Sequence, residues 1–158
     1  MRRAVFTGAR DVAAALLEAA RRLFPGAAAR VEHPNFGRHV MLVVEFPTGF
    51  LRVYAVFVRE PFHRFCSYFP RWCAENGRDE ALTLNLSVVN RLGELGIGTV
   101  YYFLADGRVY AVPVKLFREL GLCRYPRGER HTRVCHVPVS MARLVAHYGK
   151  GIPLDAFT

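Results

Sequence analysis

Two pairs of β-rich segments, each joined by a three-residue turn, constrain the fold of this chain more than any other feature. The first pair spans 38–46 and 50–59 around a Pro-Thr-Gly turn, and the second spans 98–104 and 108–114 around Ala-Asp-Gly. Aromatic and β-branched residues favour extended backbone, and Asp-Gly is a strong hairpin signal. Because such short turns join antiparallel strands, the sequence predicts two antiparallel hairpins.

Helical periodicity and capping residues predict helices around these hairpins, and shorter β runs are predicted at 28–33 and 134–137. The predicted helices are 9–24, 61–69, 79–95, 115–120 and 140–147. The third is ambiguous, because 82–88 also alternates with period two. Together these elements predict an α+β fold, a mainly antiparallel sheet with helices packed on one face, that is not an OB-fold. A single domain is expected over 1–150, followed by a C-terminal tail over 151–158.

The chain of 158 residues has the length of one domain and contains no apolar run long enough to cross a bilayer. The N-terminus carries two arginines, but no apolar stretch of signal-peptide length follows them. We therefore expect a cytoplasmic protein with no membrane partner.

The charge balance favours a polyanionic partner. Lys and Arg number 22 against 13 Asp and Glu, a formal net charge of +9. Single-stranded nucleic acids are bound by basic grooves with aromatic faces on which bases stack, and the segment 59–72 interleaves these two residue types. We expect phosphate contacts from Arg52, Arg59, Arg64, Arg71 and Arg108. We expect base stacking on Tyr54, Phe65, Tyr68, Trp72 and Tyr102.

The aromatic residues and the arginines also have interpretations other than nucleic-acid binding. The rings of Phe62, Phe65, Phe69 and Trp72 follow helical spacing, which also fits a buried stripe in the core. A second basic cluster is either a phosphate-contacting arm or a solvated loop; it contains Arg118, Arg124, Arg127, Arg130 and Arg133.

The four cysteines, at positions 66, 73, 123 and 135, form no C-x-x-C motif. Cys123 and Cys135 flank a polar loop that can bring the two thiols together, so buried thiols or a structural disulfide are expected there. A zinc site from these two cysteines with His131 and His136 is the alternative. The sequence predicts no metal and no cofactor.

The element order also loosely resembles the restriction-endonuclease-like fold, which would imply a metal-dependent nuclease, active or decayed. Such enzymes hold Mg²⁺ through acidic residues on adjacent strands. Glu45 is the acidic residue that the first predicted strand pair offers for this role, and no complete metal site is visible. A further alternative is a scaffold whose aromatic face binds protein.

The segments 59–72 and 99–103 resemble the ThermoDBP family, the single-stranded DNA-binding proteins that replace OB-fold proteins in some archaeal thermophiles. The resemblance implies a sheet-and-helix domain with a basic, aromatic-lined cleft, and a homodimer formed through a C-terminal helical zipper. No zipper precedes Thr158. We expect a non-enzymatic protein that binds single-stranded DNA, in preference to RNA, with low sequence specificity.

Overall fold

The computed structural model describes two compact units. It covers residues 14, 17, 18, 20–32, 39–58, 60–104, 107–126, 128 and 132–147. Unit 1 combines 1–59, 99–111 and 144–158, and unit 2 combines 60–98 and 112–143.

The strands, in chain order, are β1 (Ala28–Glu32), β2 (His39–Glu45), β3 (Leu51–Val58), β4 (Ala81–Asn85), β5 (Thr99–Phe103), β6 (Arg108–Pro113), β7 (Cys123–Arg124), β8 (Val134–Pro138) and β9 (Arg143–His147). The helices are α1, described at 14, 17, 18 and 20–23, then α2 (Phe65–Tyr68), α3 (Pro70–Asn76), α4 (Leu86–Glu94) and α5 (Leu116–Glu119).

Unit 1 is built on a six-stranded sheet in the order β1-β2-β3-β5-β6-β9. β1 and β3 each pair antiparallel with β2, whereas β5 lies parallel to β3. The first predicted hairpin is confirmed by the antiparallel pairing of β2 with β3. The second is confirmed because β5 neighbours β6 and the Leu104 N–H donates to the Arg108 carbonyl at 2.9 Å across the turn. Gly107, at φ 95°, provides the left-handed backbone of the second turn and donates to the Leu104 carbonyl at 2.9 Å.

The core of unit 1 follows the two-residue period of its strands. Side chains that point to one face of the sheet pack together with Ala20 of α1. This cluster contains Leu42, Val44, Tyr54, Val56, Tyr101, Phe103, Val109 and Ala111. Phe57 and Tyr102, on neighbouring strands, are also buried and stack with ring centroids 5.4 Å apart.

The predicted first helix ends at Leu23, and its N-terminal part lies outside the described residues.

Unit 2 contains a three-stranded sheet in the order β4-β8-β7, with antiparallel pairs throughout. The predicted helix 79–95 is wrong in its first half, because 81–85 form β4 and the helix begins at Leu86. These residues pair with β8, which is buried along its whole length. This pairing explains why they form a strand, with its two-residue period, and not a helix.

Two other predicted helices also differ. The helix expected from Pro61 begins at Phe65, because Phe62 is extended and exchanges two backbone hydrogen bonds with Ala81, of 2.7 and 3.2 Å. The helix expected over 140–147 is replaced by a short 3₁₀ turn, Val139–Met141, and by β9, whose residues add to the edge of the six-stranded sheet. In both segments, backbone pairing outweighs local helical propensity.

The α+β class with mainly antiparallel strands is confirmed. The predicted tail over 151–158 lies outside the described residues. No helix in the described part of the chain is long and apolar enough to span a membrane.

Candidate nucleic-acid interface

A row of three polar side chains crosses one face of the sheet of unit 2. His136 lies on the central strand β8, directly opposite Thr83 of β4, and Arg124 lies on β7. The Thr83 Oγ1 is 2.9 Å from the His136 Nδ1, and the Arg124 Nε donates to the His136 Nε2 at 3.1 Å. One hydrogen-bonded chain therefore links all three strands.

The protonation state of His136 follows from its partners. A guanidinium can only donate, so the Nε2 of His136 accepts, and its Nδ1 carries the proton and donates to Thr83. The ring is fully buried, and burial, followed by the nearby charge of Arg124, lowers the pKa of His136 to about 4. The ring is therefore neutral near pH 7, which is the state that can accept from Arg124.

Aromatic rings from the segment before β4 cover His136. The ring of Phe62 stacks on it, with centroids 5.0 Å apart and planes at 16°. Phe65 and Phe69 approach edge-on at 6.0 and 5.5 Å. Phe65 is fully buried, so the alternative of core packing holds for it, and its expected role as a stacking platform is wrong in this structure.

Arg124 forms the outer end of the row. Its guanidinium carbon lies 4.6 Å from the ring centroid of Phe62 and 4.3 Å from that of Tyr68. The side chain of Arg124 is half-buried. Within the part of the chain that the structure describes, its two terminal nitrogens have no hydrogen-bond partner.

These contacts leave the terminal edge of the Arg124 guanidinium unpartnered among the described residues, beside a partly exposed ring. Two rings and the bond to His136 fix the plane of the guanidinium, and the terminal nitrogens form the fork that matches a phosphate or a carboxylate. Tyr68 is 45% exposed, so part of its ring is available to a ligand. We call Phe62, Tyr68 and Arg124 the Arg124–Tyr68 surface.

Two disulfides hold this surface together. Cys123 and Cys135 are directly opposite in the β7–β8 register, and their bridge immediately precedes both Arg124 and His136. Cys66 and Cys73 join α2 to α3, with Cα atoms 5.7 Å apart, and enclose Tyr68. Because the sulfurs of Cys123 and Cys135 are bonded to each other, the alternative of a zinc site is wrong for this structure. His131 lies outside the described residues.

The other predicted binding residues of unit 2 lie at the surface. Arg64 and Arg71 are exposed, and Arg71 forms a 3.6 Å ion pair with Glu75 one helical turn away. Trp72 is half-buried and packs edge-on against Phe65, with centroids 5.5 Å apart. Arg64 is therefore open to a ligand, and Trp72 is accessible only in part. Arg71 can contact a phosphate only by giving up its ion pair with Glu75.

The predicted residues of unit 1 are placed differently. Tyr54 and Tyr102 are buried in the sheet, so their expected role in base stacking is wrong in this structure. The guanidinium of Arg52 lies over the ring of Phe24 at 5.8 Å. Arg108 is half-buried and donates to the Tyr110 hydroxyl at 3.0 Å. Arg59 lies outside the described residues.

From the sequence, Arg124 was identified only as one of five arginines in a basic cluster. Thr83 was not identified as a candidate. The contact between Arg124 and His136 depends on the pairing of β7 with β8. The cysteines preceding these two residues were the available signal, because a bridge between Cys123 and Cys135 fixes that register.

Glu45, the residue expected to bind metal in a nuclease, forms an ion pair with Arg30. Glu45 is exposed and accepts from the Arg30 Nη1 at 3.2 Å. Among the described residues, no group of three or more His, Cys, Asp or Glu side chains is arranged to hold a metal ion.

Comparisons of the chain with protein-family models, with curated proteins and with solved structures found no match.

Proposed function

We propose that this chain binds single-stranded nucleic acid, DNA in preference to RNA, without catalysing a reaction on it. In this proposal Arg124 contacts a backbone phosphate and the exposed part of Tyr68 stacks on the neighbouring base. The observation that carries it is an arginine held in place by a neutral histidine and two rings, with its terminal nitrogens open, beside a tyrosine that is 45% exposed.

A single strand fits this surface better than a duplex. A ring at a protein surface can stack only on a base whose face is accessible, and in a duplex the base faces are covered by neighbouring pairs. Every base has such a face, so binding of this kind tolerates all sequences. The net charge of +9 adds long-range attraction to any polynucleotide.

The proposal includes a cytoplasmic location, a likeness to the ThermoDBP family and, through that likeness, a homodimer. Two disulfides are unusual in the cytosol of a mesophile, but intracellular proteins of hyperthermophiles are rich in them. Together with a cytoplasmic location, the cross-links therefore imply a thermophilic source, and this source is part of the proposal. Light scattering at several protein concentrations tests the dimer, which a monomeric mass at every concentration would contradict.

Paired substitutions at Tyr68 test the binding role. Tyr68→Phe keeps an aromatic face, whereas Tyr68→Leu keeps apolar bulk and removes the face. We expect Tyr68→Phe to bind oligo-dT like the wild type and Tyr68→Leu to lose about 1–3 kcal/mol of binding free energy, measured by fluorescence anisotropy. Equal affinity of the Phe and Leu variants would contradict the proposal.

A further inference from the structure

Unit 1 carries a second aromatic cluster, at the turn between β2 and β3 and the end of α1. The ring of Phe46 packs edge-on against Phe24, with centroids 5.5 Å apart, and lies 6.0 Å from the ring of Phe50. Phe24 and Phe46 are half-buried, whereas Phe50 is 60% exposed. The cluster therefore ends in a large ring that faces water.

The backbone holds Phe50 in this position. The Phe46 N–H donates to the Phe50 carbonyl at 2.9 Å, and Gly49 donates to the Phe46 carbonyl at 2.8 Å. Gly49 has φ 86°, a conformation that other residues rarely adopt. The closed turn thus fixes the backbone from which the exposed ring projects.

Cations lie at the Phe24 end of the cluster, either against its ring or close to it in the sequence. Arg52 lies over Phe24 at 5.8 Å, and Arg21 and Arg22 are exposed in the last turn of α1. In the described part of the chain none of the three arginines forms an ion pair. Glu45, which ends β2, is bonded to Arg30. An exposed ring with open cations is complementary to a ligand that has flat faces and negative charge.

We propose that Phe50, Arg52, Arg21 and Arg22 form a second contact surface for single-stranded nucleic acid, which we call the Phe50 surface. A base stacks on Phe50 and extends the series of rings, and the arginines contact phosphates. The inference rests on the proposed function, since the ligand is the same, but it uses residues of unit 1 alone. Arginines at the Phe24 end of the cluster, without an acidic partner among the described residues, favour a polyanion over an apolar protein partner.

A relocated tryptophan tests the Phe50 surface directly. Trp72 is the single tryptophan in the chain, so Trp72→Phe gives a background without indole emission. In this background we expect Phe50→Trp to show emission that oligo-dT quenches saturably, with less quenching as salt rises. Leu51→Trp is the matched control, because the adjacent strand residue is 46% exposed but points to the opposite face of the sheet. It should be quenched much less.

Three results of the tryptophan experiment would overturn the assignment of the Phe50 surface to single-stranded nucleic acid. Unchanged emission of Phe50→Trp at an oligo-dT concentration that saturates anisotropy would overturn the inference. Quenching equal to that of Leu51→Trp would overturn it as well. An emission shift that depends on protein concentration without oligo-dT, together with no quenching, would assign the surface to a second copy of the chain and also overturn it.

A binding measurement separates this inference from the proposed function. We expect Phe50→Ala to weaken oligo-dT binding about 5- to 150-fold. If Tyr68→Leu weakens binding and Phe50→Ala does not, the Phe50 surface alone is wrong. If the wild-type chain shows no binding to oligo-dT, the proposed function is wrong, and the inference that rests on it is wrong as well.

Discussion

The two units hold their aromatic and basic surfaces by different means. Unit 1 has six strands and a continuous apolar cluster, and none of the four cysteines of the chain falls in it. Unit 2 has three strands, one of them with two residues, and contains both disulfides. Arg124 lies on that two-residue strand.

The difference shows how a short strand is kept in register. Two residues make too few hydrogen bonds and too little contact to fix a strand against its neighbour. The bridge from Cys123 to Cys135 supplies the missing constraint, and the bonds to His136 and the rings around Arg124 then set the side chain. Unit 1 needs no such constraint, because strands of five to eight residues are paired along their length.

The largest effect is expected from a core substitution in unit 1. Phe103 is fully buried within the apolar cluster, so Phe103→Ala removes a large ring and leaves a cavity. We expect a loss of about 3–5 kcal/mol in the free energy of unfolding. Urea denaturation measures it, and hydrogen exchange should show the loss in strands of unit 1. A change below about 1 kcal/mol would mean that this cluster does not stabilise the unit.

Acid should weaken unit 2 through His136. The pKa of this ring is about 4 in the folded chain and about 6.5 when unfolded, so the unfolded state takes up the proton first as the pH falls. Its contribution is therefore complete above pH 6.5 and is lost progressively down to pH 4. The loss amounts to about 3 kcal/mol over this range.

The variant His136→Gln isolates that effect, because glutamine can hydrogen-bond but does not titrate there. The difference in unfolding free energy between wild type and variant should change between pH 7 and pH 4. A constant difference across this range would show that His136 does not carry the acid sensitivity.

Removing the disulfides should affect unit 2 selectively. In the chain-entropy model, the bridge across a separation of 12 residues contributes about 3 kcal/mol and the bridge across 7 residues about 2 kcal/mol. We expect Cys123→Ser with Cys135→Ser to lower hydrogen-exchange protection in β7 and β8, and to weaken oligo-dT binding. Cys66→Ser with Cys73→Ser should have the smaller effect. Equal loss of protection in β2 and β3, which lie in the unit without cysteines, would contradict a selective role.

The strands of unit 1 were predictable from the sequence because their signals are local. Alternating β-branched and aromatic residues marked β2 and β3, and the Asp-Gly turn marked β5 and β6. The wrong helices at 79–85 and 140–147 have the opposite cause. There the local pattern allowed a helix, but pairing with a distant strand decided the conformation.

The candidate site was predictable only in part, for the same reason. Composition identified basic and aromatic residues as the chemistry of interest, and Tyr68 and Arg64 are exposed as expected. Periodicity could not separate the buried rings of Phe65 and Tyr102 from the exposed ring of Tyr68. The row from Thr83 through His136 to Arg124 joins residues up to 53 positions apart, so only the sheet register brings it together.

A salt-titrated comparison of single-stranded and duplex DNA, on the wild type and on Arg124→Lys, tests the central claim most directly. We predict tighter wild-type binding to oligo-dT than to a duplex, with affinity that falls steeply as salt rises. Arg124→Lys should keep this salt slope, because the charge is retained, and bind more weakly, because the planar fork is lost. Equal or tighter binding to the duplex, or wild-type affinity in Arg124→Lys, would contradict the role assigned to the Arg124–Tyr68 surface.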